Sequence, residues 1–517
     1  MKKPGESLFR LIKAMSSHEK RYFKLNSTGK LSLLFDCIEA QKEYDEASIK
    51  KKFAKDAYLG KGLSGAKHEL QEVLLRTLRN YYAATDIDFE LRNMMANIDV
   101  LLRKGVYDIC YKQVMRLKKL ARKHERWIWE LEAIRFERAI FKASDIVKIN
   151  PAYLDMLGKE EKQLLEKIAI YSEICALGSQ ISHFYSQIGE TRKKNKNITP
   201  QMKKWIFSDY DENLPPKAEL YLSSIKTVYF GAFEQGKKNK AQQHAHRMLA
   251  LVEKYPHLVM EDKALYLAAL ANHVALSSSL KNWDESLLYI EKKRKLYHDL
   301  SSEPYLGSLA FATTYVSEMD VYNKLGEFEK SIALVPQIEE GFEKYARQLT
   351  AREYLPFYCN ISYSYFGAGR HKECVKWLNR LINEPGVQLR LDIVCFARIM
   401  NLIAHYELGN EDLLSYLVVS TYRFMLRYDR IYKFENIILQ FIRRKLPRIT
   451  NRKKRMDAFK ELLAELRPLV NDPFEVKPME EFDIISWLES KIHNRPFAEI
   501  VKEKGRSTLG KPTLTFS

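Results

Sequence analysis

Residues 322–331 read YNKLGEFEKS, and residues 365–374 read YFGAGRHKEC. In both, a Tyr is followed four positions later by Gly, then by a ring side chain (Phe328, His371), then by a small residue (Ser331, Cys374). Weaker copies occupy 232–241 (AFEQGKKNKA), 277–286 (SSSLKNWDES, with Lys281 in place of Gly) and 405–414 (HYELGNEDLL); an isolated one occupies 101–110 (LLRKGVYDIC). The central positions 236, 281, 326, 369 and 409 are spaced by 45, 45, 43 and 40 residues. A fixed period of this length is the mark of a repeat architecture. The Gly ends a helix by accepting a left-handed conformation. The ring fills the gap between two antiparallel helices, and the small residue lets them approach. A lone hairpin cannot bury its apolar face, so neighbouring hairpins must stack.

Composition agrees. Gly (20) and Pro (16) are scarce in 517 residues, and hydrophobic residues make up 46%. Scarce helix breakers and a core-forming apolar fraction predict an all-α protein: an α-α superhelix, a solenoid of helical hairpins with a helical N-terminal module. Collagenous, disordered and most β classes are excluded. The pattern divides the chain into an N-terminal helical module (1–85), linking hairpins (86–212) and a repeat array (213–440). A basic linker with C-terminal helices (441–504) and a flexible tail (505–517) follow. In the module, Ser16 and Asp45 sit where N-caps belong.

The repeat resembles the tetratricopeptide family. Tyr322, Gly326, Phe328 and Ser331 fill its Tyr, Gly, aromatic and Ala places, and Tyr365, Gly369, His371 and Cys374 do so more loosely. The resemblance spans roughly residues 217–430, with a period longer than the family's 34. It implies a concave, partner-binding face made by the first helix of each hairpin. Carried over position by position, that face holds Lys226, Phe230 and Phe233, then Asp320 and Asn323, then Tyr363 and Phe366, then Tyr406. Phe230 stands where the family's carboxylate clamp needs Asn, so that clamp is not reproduced.

Catalytic signatures are lacking. No HExxH, GxSxG or Walker A motif occurs. GKGLSG (60–65) matches GxGxxG, but no strand precedes it, so it reads as a turn between helices. His244 and His246 are two apart on a helix and point to different faces. The six Cys are too scattered for a zinc motif. The expectation is a non-enzyme with no cofactor and no metal site. A poor signal-peptide pattern and no apolar run of about 18 residues predict a cytoplasmic protein without a membrane span.

Lys+Arg total 85 against 66 Asp+Glu, a net charge of +19. The densest cluster is Arg443, Arg444, Lys445, Arg448, Arg452, Lys453, Lys454 and Arg455, without an acid. Two others are Arg192–Lys196 with Lys203 and Lys204, and Arg116, Lys118, Lys119, Arg122, Lys123 and Arg126. Such clusters suit phosphate contacts. Two readings follow: a scaffold that binds a protein, a peptide or a partner helix on its concave face, or a basic regulator touching DNA, RNA or a ribonucleoprotein. The regulator would use residues 443–455 or the N-terminal helices, where Ala66, Lys67 and His68 begin a candidate recognition helix after a turn.

Overall fold

The computed structural model describes residues 6–83, 86–144, 151–188, 200–208, 214–232, 234, 237–449, 451–472, 475, 479 and 482–506. Among them every regular element is helical, and the helices pack mostly against their neighbours in sequence. The fold is an all-α solenoid.

The N-terminal module comprises α1 (Glu6–Ala14), α2 (Ser17–Asn26), α3 (Lys30–Ala40), α4 (Glu46–Lys52) and α5 (Leu63–Ala83). Both predicted caps are present. Ser16 and Glu19 form a reciprocal capping box, and Asp45 accepts from the amides of Ala47 and Ser48. Phe9, Phe23, Phe35, Leu70 and Leu74 belong to a core of the module's own. The turn expected at 60–65 is itself ordered: residues Ala57–Lys61 form a π-turn, and α5 starts at Leu63. A Cβ on Gly60 would stand 2.4 Å from the Phe53 carbonyl oxygen, and one on Gly62 2.8 Å from that of Tyr58. These glycines therefore serve a tight turn rather than a phosphate. Farther along the chain, the Arg347 guanidinium lies over the Phe9 ring of this module at 5.7 Å.

Next come α6 (Ile87–Arg103), α7 (Tyr107–Lys123) and α8 (Trp127–Ala143). Where further short hairpins were expected, Pro151–Ile188 form one continuous helix of 38 residues, α9. After α10 (Pro200–Phe207) the array begins with α11 (Pro216–Ala232), α12 (Lys238–Lys254), α13 (His257–Glu261), α14 (Lys263–Ser279) and α15 (Trp283–Leu300). It continues with α16 (Pro304–Lys324), α17 (Phe328–Ile332), α18 (Val335–Lys344), α19 (Ala351–Gly367), α20 (His371–Ile382), α21 (Leu391–Glu407) and α22 (Glu411–Arg427).

The repeat glycines take the conformation their pattern predicts. Gly105, Gly326, Gly369 and Gly409 have φ of 69°, 70°, 74° and 71°. Lys281, the substitute for Gly, is forced to φ 61°. Gly236 lies outside the described residues. The small residues Cys110, Ala241, Ser286, Ser331 and Cys374 are buried at the helix crossings.

The C-terminal part departs from the expectation of a linker. Helix α23 (Lys433–Gln440), a π-turn over Phe441–Lys445 and α24 (Arg452–Leu466) bury Phe441, Ile442, Phe459 and Leu462 in one core with the last hairpins. Two final helices, α25 (Ile484–His493) and α26 (Phe497–Arg506), fold back on the array. The expected tail therefore starts too early. Gly505 is buried within α26, where a Cβ would stand 3.3 Å from the Leu325 Cα and from the Lys324 carbonyl oxygen, and its carbonyl accepts from Trp283 Nε1 at 3.1 Å. Residues 507–517 lie outside the described residues. Among the described residues, no helix is long and apolar enough to cross a membrane.

Candidate functional site

The residues expected on an open partner groove are mostly covered by the chain itself. Lys226 is 1% exposed, and its Nζ donates to the Ser208 carbonyl just beyond α10. Phe230 is buried against the His244 ring and has Phe207 of α10 at its edge. Tyr363 and Phe366 are buried beneath Phe482 and Phe497. Asn323 is buried, donates to Asn360 and accepts from Ser364. Tyr406 is half-buried against Phe459 and Trp487. Asp320 is half-exposed and accepts from Lys324 at 2.8 Å. Phe233 lies outside the described residues. Five of these side chains are therefore buried within the protein: α10 and the residue after it pack on Lys226 and Phe230, residues of the C-terminal part on Tyr363 and Phe366, and the neighbouring helix on Asn323.

The basic clusters separate by the same test. Arg443, Arg444, Arg452, Lys453 and Lys454 are exposed and form no ion pair among the described residues. Lys445 meets Glu465 at 3.1 Å and Glu461 at 3.5 Å. Arg455 is half-buried beside Tyr406. Arg448 is described only as part of the turn Leu446–Arg448. The cluster at 116–126, in contrast, is largely neutralised. Arg116 pairs with Glu90, Lys118 with Glu137 and Glu160, Arg122 with Glu130 and Glu160, and Arg126 with Asp88. It holds α6, α7, α8 and α9 together. Residues 192–196 lie outside the described residues. The candidate recognition helix is compromised too. Ala66 is buried, and Lys67 is held by Glu46 at 2.7 Å and Tyr44 at 3.0 Å, leaving His68 exposed.

Sequence reasoning missed an open cleft of about 390 Å³ where α6, α8 and α9 meet α11, α13 and α14. Trp127, Trp129, Tyr171 and Tyr221 supply its rings, and Ile128, Leu220, Leu258 and Leu265 its aliphatic wall. The rings are fixed by one another: Trp127 meets Tyr171 edge-on at 5.3 Å, and Tyr171 meets Tyr221 edge-on at 5.6 Å. The polar groups are committed as well. Arg126 grips Asp88 with two nitrogens at 2.8 and 2.9 Å, and Trp129 Nε1 reaches the same carboxylate at 3.4 Å. Burial pushes the Asp88 carboxyl up, but Arg126 outweighs it and holds the group below its usual range. Tyr221 donates to Asp262 at 3.1 Å, and burial pushes its hydroxyl up to about 12. Glu125 accepts the Lys217 backbone N–H at 2.8 Å. The surface left over is aromatic and aliphatic, with Ile128 63% exposed at the lip. No single stretch of sequence signals this cleft, because its lining runs from residue 88 to residue 265.

A second constellation escaped because it joins three helices. His244 and His246 diverge as their spacing requires. His244 lies on Phe230, where burial lowers its pKa to about 4. His246 instead faces Glu285, at 2.7 Å, as does His273 at 2.8 Å. Burial pushes the Glu285 carboxyl up, but hydrogen bonds from the two imidazoles and Ser277 hold it well below the usual carboxylate range.

No family model matches the chain, and no curated protein sequence matches it significantly.

Proposed function

We propose that this protein is a non-catalytic interaction scaffold. It takes an extended segment of a partner protein in the cleft between α6–α9 and α11–α14, with an apolar anchor side chain among Trp129, Tyr171 and Tyr221. The cleft carries this reading. Its volume falls in the range of binding pockets, roughly 300–1,000 Å³, and its rings are rigid before a partner arrives. Its polar groups already satisfy one another, so an apolar anchor gains burial without stranding a charge. In this reading the hairpin array is a long-period relative of the tetratricopeptide class. Six cysteines without a disulfide are in keeping with the reducing cytoplasm.

The test is capture from native lysate with paired variants. Ile128→Asp, at an exposed position, should abolish recovery of a defined protein partner. Arg452/Lys453/Lys454→Glu should leave recovery unchanged. A partner retained by Ile128→Asp removes the cleft from the account.

A second reading is favoured by one observation: five cations of the 443–455 region are exposed and unpaired among the described residues. In that reading they contact a nucleic-acid backbone. The captured material would then be nucleic acid, lost between about 50 and 300 mM salt as phosphate contacts are, and the charge-reversed variant would lose it.

A further inference from the structure

We propose that His246, His273 and Glu285 form a binding site for a divalent first-row transition-metal ion of the zinc class. The three residues come from α12, α14 and the first turn of α15, so the ion would staple consecutive hairpins. His246 Nε2 and His273 Nε2 both face one atom, Glu285 Oε1, at 2.7 and 2.8 Å. All three donor atoms lie within 4.8 Å of one another.

The carboxylate's other oxygen is fixed independently. Glu285 Oε2 accepts from Asn282 Nδ2 at 2.7 Å, Ser277 Oγ at 3.0 Å and Gln242 Nε2 at 3.1 Å. Five donors thus converge on a group with about four lone-pair sites. Two imidazole N–H groups crowding one oxygen is the arrangement a cation relieves. An ion takes the place of both protons and accepts all three lone pairs. Bonds of about 2.0–2.2 Å to each donor put the donors roughly 3.3 Å apart, so each imidazole moves from Oε1 by roughly half an ångström. His246, whose side chain is half exposed, has room to move, while His273 is fully buried and anchors the site.

Two imidazoles and one carboxylate are a donor set suited to zinc, and three protein ligands leave a fourth position for water. Gln242, Ser277 and Asn282 supply the outer hydrogen bonds that orient the carboxylate. Among the described residues, His273 Nδ1 has no hydrogen-bond partner. That histidine therefore lacks the outer contact that tightens metal ligands, which weakens the site about 10–100-fold relative to a fully supported one.

The experiment is titration of the metal-stripped full-length protein with Co2+, whose visible absorption reports coordination, followed by Zn2+ as competitor. One equivalent of Co2+ should give a four-coordinate spectrum that Zn2+ abolishes, with a rise in melting temperature. His246→Ala should weaken binding at least tenfold, and Glu285→Gln likewise. The fold of each variant is checked by its helical circular dichroism, and His246 is exposed enough to be replaced without unfolding the chain. His298→Ala, at a side chain 91% exposed, should bind as the parent does. Absence of Co2+ binding, or binding that survives His246→Ala and Glu285→Gln, overturns the proposal and leaves a hydrogen-bonded triad.

Discussion

The turns at Gly105 and Gly326 are written in the same residue pattern and adopt the same left-handed geometry, φ 69° and 70°. Their surroundings differ. A Cβ on Gly105 would find only the Tyr107 ring, at 3.9 Å. A Cβ on Gly326 would stand 2.8 Å from the Lys502 backbone nitrogen and 3.1 Å from the Ala498 carbonyl oxygen. Around that second turn, Phe497 stacks on Phe328, Lys502 pairs with Glu327 at 3.0 Å, and Trp283 donates to Gly505. Local sequence decides that a turn forms. Chain far away in sequence decides whether that turn is surface or core. The first hairpins therefore keep an open cleft, while the later ones are closed by their own C-terminus.

The largest effect that can break this contrast comes from Phe482, which is 1% exposed among Tyr363, Phe366, Phe396 and Phe497. Phe482→Ala should cost about 3–5 kcal/mol by urea denaturation. A cost below about 1 kcal/mol would mean that the C-terminal helices do not seal the array. Gly326→Ala should cost about 2–4 kcal/mol, strain plus a backbone clash, against about 1–2 kcal/mol for Gly105→Ala, strain alone. Equal losses in thermal melts would erase the difference between the turns.

Two buried lysines sharpen the contrast through pH. Lys118, near the open end, has Glu137 and Glu160 as partners. Lys293, between α15 and α16, has among the described residues only the Thr313 carbonyl and Ser317 hydroxyl as hydrogen-bond acceptors. Burial lowers its pKa to about 7, with Glu318 opposing. From about pH 7 to 10 the unfolded chain therefore holds a proton that the folded one has released. Stability should rise with pH from about pH 7 to 9, before the buried thiols begin to titrate in the unfolded chain, by up to about 1.4 kcal/mol per unit. Above about pH 9 the trend turns, since burial raises the thiols of Cys374 and Cys395 and then tyrosines such as Tyr345 and Tyr363. Lys293→Met should flatten the rise in urea midpoint, and a slope that persists assigns it elsewhere. The smallest effect is Lys502→Ala, which removes a half-exposed ion pair and should cost about 0.2–1 kcal/mol in the same assay.

What was legible in the sequence was local. Gly326, Gly369 and Gly409 announce their turns, and even Lys281 was placed by register with them. Ser16 and Asp45 announce caps because a cap is decided within three residues. The groove was misjudged because whether Tyr363 faces a partner depends on Phe482 and Phe497, more than 100 residues later. The cation clusters were read as if alone: among the described residues, Arg443, Arg444 and their exposed neighbours stay clear of acids, whereas other helices bring acids to Arg116, Lys118, Arg122 and Arg126. The cleft and the His246–His273–Glu285 cluster were invisible for the same reason, since each is assembled from several helices.

The most direct measurement places a photo-crosslinking side chain at residue 128 in one sample of the intact protein and at residue 453 in another, both exposed in native lysate. The expected result is a defined protein adduct from position 128 that withstands nuclease and about 300 mM salt, and none from position 453. Adducts confined to position 453 and removed by nuclease would contradict it.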